Sequence, residues 1–154
     1  MAISQAMCSS FKQELLGGTH NLVSNSCKLA LFTSSATLSA ATTAYAAPSS
    51  ASAVPTSTHE VSTGGSSNYT AAGLALANPV VSRPSSGTTA TVDFDNRVFS
   101  NVTLTARGCL IYNDTVSDKA VAVLDFGSDK TATSGDFTIV FPANDANNAI
   151  IRLA

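Results

Sequence analysis

Two imidazoles and three thiols are the groups in this 154-residue chain best suited to act as bases or nucleophiles. An attacking Ser or Cys needs a base beside it, and only His20 and His59 could supply an imidazole. Neither stands in a recognisable motif. His20 falls in the turn sequence Gly17-Gly18-Thr19-His20-Asn21, where a solvated or backbone-bonded ring is expected, and His59 borders a polar loop. The many serines include no GxSxG elbow, so hydrolase chemistry is not indicated. Cys8, Cys27 and Cys109 are odd in number and widely spaced, without the CxxC pairs of a zinc site. They read as reduced, buried thiols, the last two inside predicted strands.

The carboxylates are no more suggestive. Asp93 and Asp95 alternate along a predicted strand and would face the same side, toward a cation or a sugar in principle. The simpler expectation is a wet strand face that discourages edge pairing, since no DxDxDG loop is present. Asp125-Phe126-Gly127 spells a kinase motif without the Gly-rich loop or HRD segment that would give it meaning, and reads as a strand end before a turn. Asn68, Asn101 and Asn113 open glycosylation sequons that a chain rich in Ser, Thr and Asn produces by chance. Aromatics are 6% of residues with no Trp, which leaves little material for a stacking platform. No catalytic residue, metal ligand or cofactor is expected.

Charged residues make up only 12% of the chain, against about 25% in average soluble proteins, so the surface is largely hydroxylated and does little to oppose association. A homo-oligomer is expected on these grounds. The net charge of −2 and the absence of a Lys/Arg cluster exclude the footprint of a nucleic-acid binder. No run approaches the roughly 18 apolar residues of a membrane helix, so no membrane association is expected. Lys28, the apolar stretch 29–32 and Ala44-Tyr45-Ala46 imitate a secretory signal, but Thr33, Ser34 and Ser35 break its apolar core.

These residues sit on elements that the patterning predicts. Ile3, Met7, Phe11 and Leu15 recur every four residues before Gly17-Gly18, which predicts a helix or arm over residues 1–17 that covers a sheet or docks on another subunit. Residues 26–33 are apolar on both faces and read as a central strand. Residues 46–58, rich in Ala, Ser, Thr and Pro, predict a flexible loop. Short strands follow around 59–63, 69–77, 80–81 and 89–94, and a long hairpin over 102–130 turns at Asn113, Asp114, Ser117 and Asp118. A second turn is expected at Gly127-Ser128-Asp129-Lys130, then strands through Phe137, Ile139 and Phe141 and through 149–153. The expectation is one mainly β domain over 1–154, an antiparallel β-sandwich with one short N-terminal helix and a jelly roll as the nearest competitor.

Function comes within reach only by resemblance. FKQELLGGTHN, KLALFTSSATL followed by TTAY, TARGCLIYNDT, KAVAVLDFGSDK and the closing DFTIVFPANDANNAIIRLA together resemble small virion structural proteins of tailed double-stranded DNA bacteriophages. The resemblance covers residues 11–45 and 92–154, with 46–58 as an insertion. It implies a capsid decoration (cement) protein, made in the host cytoplasm and carried on the phage particle, that binds the major capsid protein or other virion subunits. A tail, collar or head-fibre component, or a receptor- or glycan-binding module, are the alternatives. The resemblance brings no catalytic residues with it.

Overall fold

The computed structural model describes residues 2–45, 59–61, 67–84 and 87–154. In chain order the elements are β1 (Ala6–Met7), α1 (Ser9–Leu16), β2 (Cys27–Phe32), β3 (Leu74–Ala75), β4 (Val80–Ser82), β5 (Ala90–Asp93), β6 (Arg97–Asn113), β7 (Lys119–Ile139) and β8 (Ile151–Leu153). The strands form a five-stranded sheet, ordered β1-β7-β6-β2-β3, and a three-stranded sheet, ordered β4-β5-β8. Every pairing between these strands is antiparallel. The fold is therefore mainly β with one short helix near the N-terminus, in the sandwich class that the strand spacing predicts. One hydrophobic cluster includes Leu29 and Val121 of the larger sheet and Val92 and Ile151 of the smaller.

The centre of the larger sheet is apolar on both faces because both faces are covered. Leu29, Ala30, Leu31 and Phe32 of β2 are all buried, as are Cys109 to Tyr112 of β6 and Ala120 to Val123 of β7. Full burial of Phe11 on α1, which packs against β7, contributes about 2 kcal/mol on area grounds. Among the described residues no helix is long and apolar enough to cross a membrane.

The N-terminal expectation needs correction. The helix does not extend over residues 1–17: it is confined to Ser9–Leu16, and Ala6 and Met7 pair with Val123 and Ala122 as an edge strand. Cys8, extended at φ −64° and ψ 139°, makes the change of direction. Ile3 is buried across β6, where a Cβ on Gly108 would lie 2.9 Å from Ile3 Cγ2 and 2.4 Å from the Leu124 carbonyl oxygen. The four-residue spacing thus marks buried positions on two kinds of backbone. The Gly17-Gly18 stop is present: Gly18 takes φ +73°, and Thr19 N–H reaches the Glu14 carbonyl at 2.9 Å.

The hairpin turn falls where its residues predict, with Ser117 and Asp118 at φ 50° and 56°. The turn expected at Gly127 to Lys130 does not form. β7 runs on to Ile139 because β6 continues opposite it, Ala106 pairing with Lys130 and Leu104 with Ala132. The turn-forming residues become a bulge instead: between the Gly108↔Asp125 and Ala106↔Lys130 pairs, residues 126–129 oppose Arg107 alone. Gly127 absorbs the distortion at φ +76°, and its N–H is taken by Asp125 Oδ1 at 2.9 Å. Residues 46–58, and 62–63 of the short strand expected at 59–63, lie outside the described residues; within the described part Glu60 makes an isolated antiparallel bridge to Phe32.

Candidate functional site

Glu60 is the only Asp, Glu, Lys or Arg between Lys28 and Arg83, and all three tyrosines of the chain gather around it. Its Oε1 accepts hydrogen bonds from the Tyr69 hydroxyl at 2.7 Å and the Ala72 N–H at 2.8 Å, and its Oε2 accepts one from the Tyr45 hydroxyl at 2.8 Å. Tyr69 oxygen in turn accepts the Leu31 N–H of β2 at 2.9 Å. Tyr112 stacks on Tyr45 with centroids 4.6 Å apart and donates to the Ala72 carbonyl at 2.7 Å. Both polar backbone groups of Ala72 are thereby held, which offsets the strain of a non-glycine residue at φ 69°.

This cluster is built to fix backbone rather than to move protons. Burial pushes the Glu60 carboxyl above its ordinary value, although the bonds from Tyr69, Tyr45 and Ala72 pull the other way. Burial also raises all three phenols, with the Glu60 charge adding to the effect, so none approaches a phenolate at neutral pH. A solitary carboxylate in a long uncharged stretch that holds two of the three tyrosines was the available sequence signal, and residue motifs did not expose it.

A second polar cluster joins the helix to the hairpin tip. His20 is not solvated in a turn as expected: its side chain is fully buried. Asn113 Nδ2 donates to His20 Nδ1 at 3.0 Å and to Asn25 Oδ1 at 2.9 Å. That leaves His20 Nε2 as the donor to Glu14 Oε2 at 3.0 Å, while Lys119 Nζ donates to Glu14 Oε1. The ring also tilts against Phe11, centroids 4.9 Å apart. Burial works against the Glu14 charge, but the hydrogen bonds from Lys119 and His20 and the Lys119 charge outweigh it and hold the carboxyl below its usual range. With both nitrogens engaged, His20 pins the helix end to the hairpin tip.

The other sequence candidates are scattered. His59 is partly buried, and its carbonyl accepts from the Thr33 N–H and hydroxyl. Cys8, Cys27 and Cys109 are free and buried. Burial pushes the first two thiols up to about 11 and the third further, the opposite of an activated nucleophile. Asp93 ends β5 with Oδ1 buried rather than on a wet face, while Asp95 is exposed beyond the strand and bonds Asn78. Asp125 pairs with Arg107 at 3.0 Å in the bulge. Asn113 is wholly buried, whereas Asn68 and Asn101 are exposed and bonded to each other. Among the described residues no group of three or more His, Cys, Asp or Glu could hold a metal.

What the surface does offer is an apolar groove of about 490 Å³ between the α1 end of the molecule and the three-stranded sheet. Phe11, Leu22 and Val23 form one wall, and Val81, Ile151 and Leu153 form the other. Val23, Val81 and Leu153 are 62%, 50% and 43% exposed there, and among the described residues no Asp, Glu, Lys or Arg lines the groove. The neighbouring edge strand β4 is short and bracketed by Pro79 and Pro84, which limits its pairing with a further strand. Compared with protein families, curated proteins and solved structures, the chain matches none.

Proposed function

We propose that this chain is a virion structural protein of a tailed double-stranded DNA bacteriophage, and specifically a capsid decoration protein that binds the head lattice and braces it. The apolar groove carries the reading: Val23, Val81 and Leu153 are exposed together in a surface with few charges, the pattern of a face that another subunit covers. The resemblance of residues 11–45 and 92–154 to small phage virion proteins supplies the class of partner, the major capsid protein. The chemistry of the interior supports an assembly role over catalysis, because His20 has both nitrogens occupied and the three thiols are buried and raised.

In this account the protein works by contact area. The larger sheet, tied by the Glu60 and His20 clusters, is a rigid body, and the groove beside the smaller sheet receives apolar side chains of the coat. The test is to add purified protein to expanded, empty capsids of the parent phage. Saturable binding with a rise in the temperature at which the shells disrupt is expected, and no binding at saturating concentration overturns the proposal.

A further inference from the structure

A second, larger cavity differs from the groove in its chemistry. It has a volume of about 820 Å³ and lies along β7 and the segment leading to β8, within the size range of small-molecule sites. Phe126, Phe137 and Phe141 give it an aromatic wall, the first two tilted together with centroids 6.1 Å apart. Three of the seven phenylalanines in the chain thus face one space.

The charges around this wall are unbalanced. Asp125 lines the cavity, but its Oδ1 already takes the Arg107 Nε–H at 3.0 Å and the Gly127 N–H at 2.9 Å. Lys130 and Arg152 line it too, and neither forms an ion pair among the described residues. Arg152 spends one Nη1 hydrogen on the Ala146 carbonyl at 3.2 Å and keeps its other donors. In a chain of net charge −2, two cations without a direct ion-pair partner among the described residues, Lys130 and Arg152, beside an aromatic wall make an electrostatic exception, although Arg152 lies near enough to Asp145 to help lower its carboxyl. Beyond Val123 the outer edge of β7 adds donors, since β1 and the Ala44 bridge occupy it only from Lys119 to Val123 among the described residues.

We propose that this cavity binds small amphiphilic anions. The ligand class is an aryl or alkyl carboxylate, or an equivalent sulfonate, whose apolar body lies on Phe126, Phe137 and Phe141 while its anionic end meets Lys130 and Arg152. The bulge at residues 126–129 builds the site, because it carries Phe126 out of the regular ladder and brings Lys130 opposite Ala106. The inference does not depend on a capsid role, since the groove uses different residues and has no Lys or Arg among the described residues.

The test is a fluorescence titration of the full chain with anilinonaphthalene sulfonate, and in parallel with N-phenylnaphthylamine, its uncharged counterpart. Saturable sulfonate binding at one site is expected. Replacing both cations, Lys130→Gln with Arg152→Gln, should weaken it by about tenfold while uncharged-probe binding stays within about twofold. Val81→Asp, in the apolar groove, should leave sulfonate binding unchanged. The proposal is overturned by absence of saturable sulfonate binding, by full affinity in the double variant, by parallel loss of both probes, or by loss of sulfonate binding in the Val81 variant.

Discussion

The Tyr45 hydroxyl donates to Glu60 Oε2 across 2.8 Å, so the chain on the two sides of residues 46–58 is joined by a side-chain hydrogen bond to a half-buried carboxylate. Tyr69 and the Ala72 N–H complete the ring on Glu60 Oε1 and tie it to β2 through Leu31. Replacing Glu60 by Ala orphans the Ala72 amide and frees Tyr45. Urea denaturation should show a loss of about 2–3 kcal/mol. Wild-type stability in Glu60→Ala would remove the anchoring role.

Glu60→Gln keeps the shape and removes the charge, which makes a test of sign. The Glu60 carboxyl is raised above its ordinary 4.5 in the folded state. As pH climbs from that value through the raised one, the unfolded chain has released a proton that the folded chain still holds, so wild-type stability falls relative to the Gln variant. The stability difference should widen in favour of Gln across this window and then level off. Glu14, lowered in the fold, acts oppositely: its contribution is complete above 4.5 and is lost as pH falls through its depressed value. A difference between wild type and Glu60→Gln that is flat with pH would contradict the burial of this charge.

Much of the framework was legible in the sequence, for reasons that particular residues make plain. Cys27 to Phe32 carries apolar side chains on both faces and is central; Asn113 to Asp118 is polar, turn-forming chemistry between two apolar runs and is the hairpin tip. Local patterning failed where long-range pairing decided the backbone. Gly127 to Lys130 has turn composition, yet β6 lies opposite and converts it to a bulge. Ile3 and Met7 have helical spacing, yet Met7 pairs with Ala122 at the sheet edge and Ile3 forms an isolated bridge to Leu38. The polar clusters were invisible for the same reason, since Asn113 and His20 are 93 residues apart in sequence.

Asn113 and His20 should behave as one unit. Asn113→Leu leaves the buried His20 Nδ1 without its donor, and His20→Phe leaves one of the two Asn113 Nδ2 hydrogens without its acceptor while the other stays on Asn25 Oδ1, so each change should cost about 2 kcal/mol. The double variant should cost less than the sum by about 1 kcal/mol or more in a double-mutant cycle. Strict additivity would mean that the bond contributes nothing measurable.

Gly73 passes so close to β2 that a Cβ would lie 1.8 Å from the Leu29 carbonyl oxygen, and it holds φ +72°. Gly73→Ala should therefore cost more than about 4 kcal/mol or prevent folding. Gly18, at φ +73° with nothing within 4 Å of a Cβ, isolates the conformational part, and Gly18→Ala should cost only about 1 kcal/mol. Similar losses at both positions would show that the contact with Leu29 does not matter.

Cys8, Cys27 and Cys109 should be silent in the folded protein. Burial with thiols pushed up to about 11 or beyond predicts no reaction with an aromatic disulfide reagent at neutral pH until denaturant is added, when all three should react. Rapid labelling of the native protein would overturn their burial.

The central claim is a place on the phage head, reached through the groove that Val23, Val81 and Leu153 leave open. Cryo-electron microscopy of the parent particle tests it most directly. The account predicts this chain on the outer surface of the head lattice with that groove against a coat subunit. Density for the chain confined to the tail, or a head-bound chain whose groove faces solvent, would contradict it.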